Sequence, residues 1–120
     1  MENLHEWLQG IYNTIDAKHA AGFASYIKED GIFRFGNMEP SVGRKAITDG
    51  VAYFFSSIKS SQHSIINAWQ NGDYITWQGQ VLYTRLDGNQ VTVNFVNIFK
   101  MEGDMIAEYL IYIDNTPLYA

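Results

Sequence analysis

The stretch NGDYITWQGQVLYTRLDG, from Asn71 to Gly88, has the features of a long β-strand enclosed by two tight turns. Asparagine, aspartate and glycine at its ends tolerate the positive φ angles that hairpin reversals require. Between the turns, apolar and polar side chains alternate, as they do in a strand with one buried face. Gly79 interrupts this alternation at a point where a strand is able to bend. The stretch therefore predicts the centre of an antiparallel sheet.

Segments on both sides of this stretch extend the sheet. The sequence EGD at residues 102–104 is a third turn of the same kind. The predicted strands are residues 63–70, 74–86, 90–101 and 105–114. All of them exceed the usual strand length of about five or six residues, so their sheet must twist and coil strongly. We expect a curved meander whose concave side leaves room for a pocket.

Two helices are predicted before the first strand. Asn3 and Glu6 form a variant capping box, which indicates a first helix at residues 3–17. A second, short helix follows and is expected to end in the sequence KEDG, with Gly31 as its stop signal. The apolar positions at helical spacing are Leu4, Trp7, Leu8, Ile11, Tyr12 and Ile15 in the first helix, and Ala20, Phe23, Tyr26 and Ile27 in the second.

A strand, a loop and a third helix complete the predicted order of elements. IFRF at residues 32–35 has the composition of a strand, and the glycine-rich and proline-containing segment from Gly36 to Gly43 is typical of a loop. The third helix is indicated by Ile47, Val51, Phe54, Phe55 and Ile58. The sequence thus predicts an α+β fold in which N-terminal helices pack on a strongly curved, mainly antiparallel sheet.

Composition restricts the class of protein. The 120 residues are 47% hydrophobic, which is sufficient for the core of one domain at residues 1–120. The net charge is -5 and the basic residues are scattered, so we expect neither nucleic acid nor a membrane as a partner. The absence of cysteine, of a signal peptide and of an apolar run long enough for a membrane helix fits a cytoplasmic protein.

Both faces of the predicted sheet are substantially apolar. In the strand at residues 90–101, Val93 and Phe95 point to one face, and Val96 and Ile98 point to the other. One face must cover the core, and a large apolar sheet face seldom remains in contact with water. We therefore expect a homodimer formed through the outer face of the sheet.

The order of these elements, together with four motifs, resembles the nuclear transport factor 2-like superfamily and particularly its SnoaL-like branch. The motifs cover almost the whole chain and are IYNTIDAKHAAGFASYIKEDGIFRFGN, VGRKAI, NGDYITWQGQVLYTRLDG and GDMIAEYLIYIDNTPLY. The resemblance implies a cone in which the curved sheet and the helices enclose a pocket for an apolar small molecule. It leaves the chemistry open, because the superfamily includes several kinds of enzyme and members without catalysis.

Scytalone dehydratase, a member of this superfamily, is similar to the chain at two cavity positions. Its aspartate at the end of the first helix matches Asp16 in IDAKHA, and its histidine at the start of a strand matches His63 in QHSII. The resemblance implies that Asp16 orients one imidazole nitrogen and that His63 transfers a proton. The alternative is a structural hydrogen bond that ties the first helix to the sheet.

Two other groups of enzymes imply further positions in the pocket. Asn97 matches the oxyanion-donor position of ketosteroid isomerases, but Phe35 replaces their base carboxylate and argues against their mechanism. The catalytic positions of limonene epoxide hydrolases match Gln78, Gln80 and Ile111, which cannot ionise. This comparison implies that both glutamines line the pocket, whereas strand alternation alone also lets them face water. The expected core or pocket wall includes Trp69, Phe95 and Tyr109.

The sequence leaves two functions open. The first is binding of an apolar carbonyl compound with acid-base chemistry of a lyase or isomerase type, such as dehydration, isomerisation or cyclisation. The second is a non-catalytic dimeric module that binds a ligand or another protein. Neither implies a cofactor, because no metal-ligand spacing, phosphate loop or dinucleotide fingerprint occurs. An open cavity reached by His63 and Asn97 would favour the first function, and a filled interior would favour the second.

Overall fold

A curved, open six-stranded sheet with helices packed on it forms the fold of residues 3–120, the part of the chain that the computed structural model describes. The helices are α1 (Leu4–Asp16), α2 (Ala20–Ala24), α3 (Arg44–Ser56) and α4 (Thr116–Tyr119). The strands are β1 (Ile27–Phe35), β2 (Ser41–Val42), β3 (Ser60–Asn71), β4 (Tyr74–Thr84), β5 (Gln90–Glu102) and β6 (Met105–Ile113). The predicted α+β class is confirmed.

The strands lie in the order β2-β1-β6-β5-β4-β3. β1 and β6 are parallel, and every other neighbouring pair is antiparallel. β3 to β6 form the meander that the turn sequences predict, and the glycine in each turn has a positive φ angle. The predicted start of α1 is also present, since the Asn3 side chain accepts a hydrogen bond from the Glu6 backbone N–H and its Nδ2 donates to the Glu6 carboxylate. Strong turn and cap signals therefore identified most elements correctly.

The core lies between α1 and the concave face of the sheet. Leu8 and Ile11 of α1 are completely buried, as are Trp77 and Val81 of β4. In β4 these buried positions alternate with partly or fully exposed ones, as the sequence pattern predicts. Burying each large aliphatic side chain stabilises the fold by about 1.5–3 kcal/mol relative to exposure. The apolar face of the meander is thus the main surface on which the helices pack.

Gly79 marks the point where β3 and β4 bend together. It lies opposite Ile65, directly before the register shift that places Asn67 opposite Gln78. A Cβ atom at Gly79 would collide with the Ser64 backbone oxygen and would lie 2.6 Å from the Phe95 ring. Only glycine fits here, and the bulge increases the local twist. The bend helps to curve the sheet around its concave side.

The predicted end of the second helix was wrong. α2 ends at Ala24, and KEDG lies inside β1. Gly31 is buried at the register shift between β1 and β6, where a Cβ would lie 2.9 Å from the Lys28 backbone oxygen. The glycine therefore permits a bulge in a strand and does not end a helix. Parallel pairing with β6 overrides the polar local sequence, and the predicted loop contains the short strand β2.

Candidate functional site

A cavity of about 630 Å³ opens from the concave side of the sheet. Its wall is mainly aromatic and includes Phe23, Phe33, Phe35, Phe54, Phe55 and Phe95. Its polar side chains include His63, Tyr83, Asn97, Tyr109 and Asn115. Three lining residues, Met38, Tyr53 and Tyr119, are largely exposed, so the mouth lies between the loop after β1, α3 and α4. An apolar wall with a few polar groups is the usual composition of a small-molecule site.

The end of α1 and the start of β3 bring Asp16 and His63 together. Asp16 Oδ1 lies 2.6 Å from His63 Nδ1, and Asp16 Oδ2 accepts the His63 backbone N–H at 2.9 Å. The Ser61 hydroxyl also donates to Oδ1, at 2.8 Å. Because an ionised carboxylate only accepts hydrogen bonds, this contact places the proton of the neutral imidazole on Nδ1. Asp16 therefore fixes both the position and the tautomer of the ring.

The second nitrogen of His63 has no comparable partner. Nε2 makes no hydrogen bond within residues 3–120, although the ring borders the cavity and its side chain is only 10% exposed. The ring packs against both Trp77 and Phe95, with centroid distances of 6.2 Å and 5.7 Å. With Nδ1 protonated, Nε2 has the free lone pair of a base, and it becomes a donor once it takes up a proton.

A second polar group in the cavity is the Asn97–Tyr109 pair. Asn97 is 3% exposed, and its Nδ2 donates to the Tyr109 hydroxyl over a long distance of 3.4 Å. Its Oδ1 is buried without a partner in the described chain. Burial raises the pKa of the Tyr109 phenol far above its ordinary value, so the hydroxyl stays protonated at neutral pH. The pair offers the cavity one free O–H donor and one free amide oxygen.

A third polar pair, which the sequence did not indicate, consists of Tyr83 and Asn115. Burial is the largest cause that raises the pKa of the Tyr83 phenol, and the neighbouring Asn115 amide lowers it only in part. The two groups are therefore close, but the Asn115 amide atoms make no hydrogen bond of acceptable geometry to any residue from 3 to 120. Tyr83 pairs across the strands with Ser61, two positions from His63, so this pair lies beside the histidine.

The structure divides the predicted site residues into two groups. Those that line the cavity are His63, Asn97, Phe35, Phe95, Tyr109 and Ile111, and Asp16 lies behind the histidine. Trp69, Gln78 and Gln80 lie on the outer face and do not border the cavity, so their predicted placement is corrected.

The glutamines on the outer face bond to other side chains there. Gln78 accepts from Asn67 at 3.1 Å, and Gln80 donates to Asn94 at 2.9 Å. Strand alternation, which allows these glutamines to face water, was the better guide. Alternation along β3 could also have identified Ser61 as a partner of Asp16, because Ser61 lies two residues before His63 on the same face.

The described residues contain no group of three or more histidine, aspartate or glutamate side chains placed to hold a metal ion. Across residues 3–120, no helix combines the length and apolar character needed to cross a membrane.

The architecture is the cone-shaped α+β fold of the nuclear transport factor 2-like superfamily. The family model for the SnoaL-like domain matches residues 8–109, so the chain belongs to the SnoaL-like domain family. Among curated proteins, none matches the chain.

Solved structures share the fold at low sequence identity. A protein of unknown function from Burkholderia pseudomallei has a TM-score of 0.84 at 12% identity, covering 94% of this chain and 92% of that one. A putative SnoaL-like polyketide cyclase from Jannaschia has a TM-score of 0.77 at 14% identity, with 93% and 88% covered. An LEH-like epoxide hydrolase from M. tuberculosis has a TM-score of 0.78 at 9% identity, with 96% and 85% covered. At these identities the likeness shows the fold alone.

Proposed function

We propose that the chain binds a small, largely apolar carbonyl compound in the cavity and catalyses a cofactor-free proton transfer on it, of a dehydratase, isomerase or cyclase type. The observation that carries this proposal is the state of the His63 ring. Nδ1 is held by Asp16, while Nε2 borders the cavity without a partner among residues 3–120. Because the ring borders the open cavity and its side chain keeps 10% exposure, a ligand that enters the cavity can reach this nitrogen.

The proposed reaction begins with His63 as a base. Its Nε2 takes a proton from the carbon next to the substrate carbonyl, and the resulting imidazolium is stabilised by the Asp16 carboxylate. The Tyr109 O–H donates to the carbonyl oxygen as negative charge develops there, and Asn97 positions that hydroxyl. The proton then returns to another carbon in an isomerisation, or to a leaving hydroxyl group in a dehydration.

The comparisons are compatible with this class of chemistry through the shared fold, and they leave the reaction open. The chain shares its fold with a structure described as a putative SnoaL-like polyketide cyclase and with one described as an LEH-like epoxide hydrolase. The pair of Asp16 and His63 is the feature that resembles scytalone dehydratase. The charged residues of limonene epoxide hydrolases are absent at Gln78, Gln80 and Ile111, which favours proton transfer over epoxide opening.

Exchange of α-protons tests the proposal without knowledge of the natural substrate. Bicyclic ketones such as 1-tetralone and 2-tetralone are incubated with the protein in D₂O, and deuterium incorporation is followed by NMR. The wild-type protein should accelerate exchange, and His63→Gln should lower the protein-dependent rate by about 10²- to 10⁴-fold. His5→Gln is the matched control, because His5 is exposed on α1.

Two results would contradict the proposal. One is a wild-type protein that does not exceed buffer with any ketone of the panel. The other is a folded His63→Gln variant that exchanges as fast as wild type.

The outer face of the sheet supports a second proposal, that the chain forms a homodimer through this face. Ile66, Trp69, Tyr74 and Tyr112 are between 47% and 57% exposed on β3, β4 and β6. The row Trp69–Thr76–Ile98–Leu110 crosses four strands on the same face, and three of its four side chains are apolar. A second copy of such a self-complementary face would cover it by two-fold symmetry. The non-catalytic module remains the alternative if the cavity lacks activity but the dimer forms.

A further inference from the structure

Asn115 carries a buried amide that makes no well-aligned hydrogen bond to any residue from 3 to 120. It lies at the residue before α4, where an asparagine side chain usually accepts a backbone N–H of the first turn. Its side chain makes no such capping bond. Asp114 takes this role, because its Oδ1 accepts the Thr116 backbone N–H at 3.0 Å and the Thr116 hydroxyl at 2.6 Å. The Asn115 side chain is therefore released from the helix end.

The released amide lies in the wall of the cavity. Both Oδ1 and Nδ2 are buried, and neither has a hydrogen-bond partner in residues 3–120. Leaving a buried donor and acceptor unpaired is costly, whereas an apolar side chain of similar shape would carry no such cost. A ligand that pairs with both amide atoms would supply the hydrogen bonds that the described chain does not provide.

The surroundings of Asn115 place it near the reacting end of the proposed site. Its neighbour Tyr83 is 2% exposed and pairs with Ser61, whose hydroxyl donates to Asp16. His63 pairs with Val81, two residues before Tyr83 on the same face of β4. A ligand group bound by Asn115 would thus lie beside the group that meets His63.

We propose that Asn115 is a ligand-recognition residue and that the ligand presents a hydrogen-bond acceptor and donor side by side next to its reacting carbonyl. A carboxamide offers its N–H and its C=O in one plane, so its complement is another planar pair. Neutral groups of this class are a lactam, a carboxylic acid and an enolised dicarbonyl. The rest of the ligand is aromatic or otherwise apolar, to match the phenylalanine wall.

This inference rests on the proposed function only in that the cavity binds a small molecule, and it does not require proton transfer by His63. A matched pair of neutral probes tests it. 2-Quinolinone carries a lactam N–H beside its carbonyl, and N-methyl-2-quinolinone lacks that donor. Dissociation constants for both are measured by calorimetry on the full chain. Wild type should bind 2-quinolinone roughly tenfold or more tightly than the methylated probe, since the lost hydrogen bond leaves the buried amide oxygen unpaired.

Variants at Asn115 separate recognition from stability. In Asn115→Leu the preference for 2-quinolinone over the methylated probe should fall to about that expected from the difference in size alone. The melting temperature of this variant should rise by a few degrees. Asn115→Ala should lose the preference in the same way. It replaces Asn115→Leu as the test if the leucine side chain does not fit and the protein fails to fold. Asn13→Leu is the control, because Asn13 is an exposed asparagine on α1. It should keep the wild-type preference.

The outcomes are distinct from those of the exchange experiment. A preference that is lost in Asn115→Ala but kept in His63→Gln supports the inference, even if no ketone exchanges. If wild type binds ketones yet shows no preference for the lactam, or if the preference survives in both Asn115 variants, the inference is overturned while the proposed proton transfer stands.

Discussion

The carboxylate of Asp16 binds His63 through both of its oxygens: Oδ1 lies 2.6 Å from the ring nitrogen Nδ1, and Oδ2 lies 2.9 Å from the backbone nitrogen of the same residue. The backbone bond fixes the carboxylate to β3, and the ring bond then fixes the imidazole to the carboxylate. Rotation of Asp16 would break both contacts. The orientation of the histidine is therefore set by the fold before a ligand enters, which is the arrangement expected of a preorganised proton-transfer group.

Ser61 should strengthen this arrangement without being essential to it. Ser61→Ala removes the hydroxyl that donates to Asp16 Oδ1 at 2.8 Å. We expect the free energy of unfolding to fall by about 1 kcal/mol, because the lost bond is to a charged but partly exposed group. Ketone exchange should slow only slightly, since Asp16 keeps its contacts with His63. Urea denaturation checks the first effect, with Ser60→Ala at an exposed position of the same strand as a control, and equal stability of all three proteins would contradict it.

Two tyrosines should resist ionisation in the folded protein. Burial raises the pKa of Tyr83 and of Tyr109 above the ordinary phenol value of about 10. Their contribution to stability is complete below that value and is lost as the pH rises above it, because the unfolded chain then ionises first. The measurement is an alkaline titration of phenolate absorbance. The signal of the two buried residues should appear only with unfolding, and ionisation of all tyrosines in one native transition would refute this.

Gly79 should not tolerate a side chain. In Gly79→Ala the new methyl group would collide with the Ser64 backbone oxygen and with the Phe95 ring, so we expect a loss of stability of about 1–3 kcal/mol or more. Gly50→Ala is a matched control in the exposed face of α3, where the nearest atom would be 3.8 Å away. It should be neutral or stabilising by up to about 1 kcal/mol. Thermal unfolding compares the two, and equal effects would show that the bend does not depend on this contact.

The proposed dimer predicts a specific response to charge on the outer sheet face. Tyr112→Lys places an ammonium group in the centre of that face, next to Val96. Light scattering at micromolar concentration should then report a dimer for wild type and a monomer for the variant, because an unpaired charge is costly in an interface. Tyr53→Lys, at the exposed mouth of the cavity, should leave the dimer intact. If the wild-type protein is a monomer, the proposal of a homodimer is wrong.

The sequence predicted those elements whose signals are local. Turn residues around β4 identified the meander, and the Asn3–Glu6 pair identified the start of α1. β1 was partly missed because its pairing with β6 comes from residues some 75 positions later, a contact that no local pattern contains. KEDG is polar and ends in glycine, so it has the local signature of a helix end although it lies in a strand.

The residues of the candidate site also fall into those that the sequence could indicate and those that it could not. Contact between Asp16 and His63 follows from where α1 ends and β3 begins, and the family resemblance already implied it. The positions of Gln78 and Gln80 could have been inferred from alternation along β4. Asn115 could not, since it lies after the last strand, where no periodicity applies. Its importance depends on the capping bonds that Asp114 makes in its place.

The central claim is that Asp16 acts through His63, and a double-mutant cycle on ketone exchange tests it most directly. Exchange rates are measured for wild type, Asp16→Asn, His63→Gln and the protein with both changes, with thermal unfolding as a check on folding. If Asp16 only orients the imidazole, the double variant should exchange no more slowly than His63→Gln alone. Two results would contradict this claim. One is a double variant whose loss of rate equals the product of the losses in the two single variants, and the other is an Asp16→Asn variant as fast as wild type.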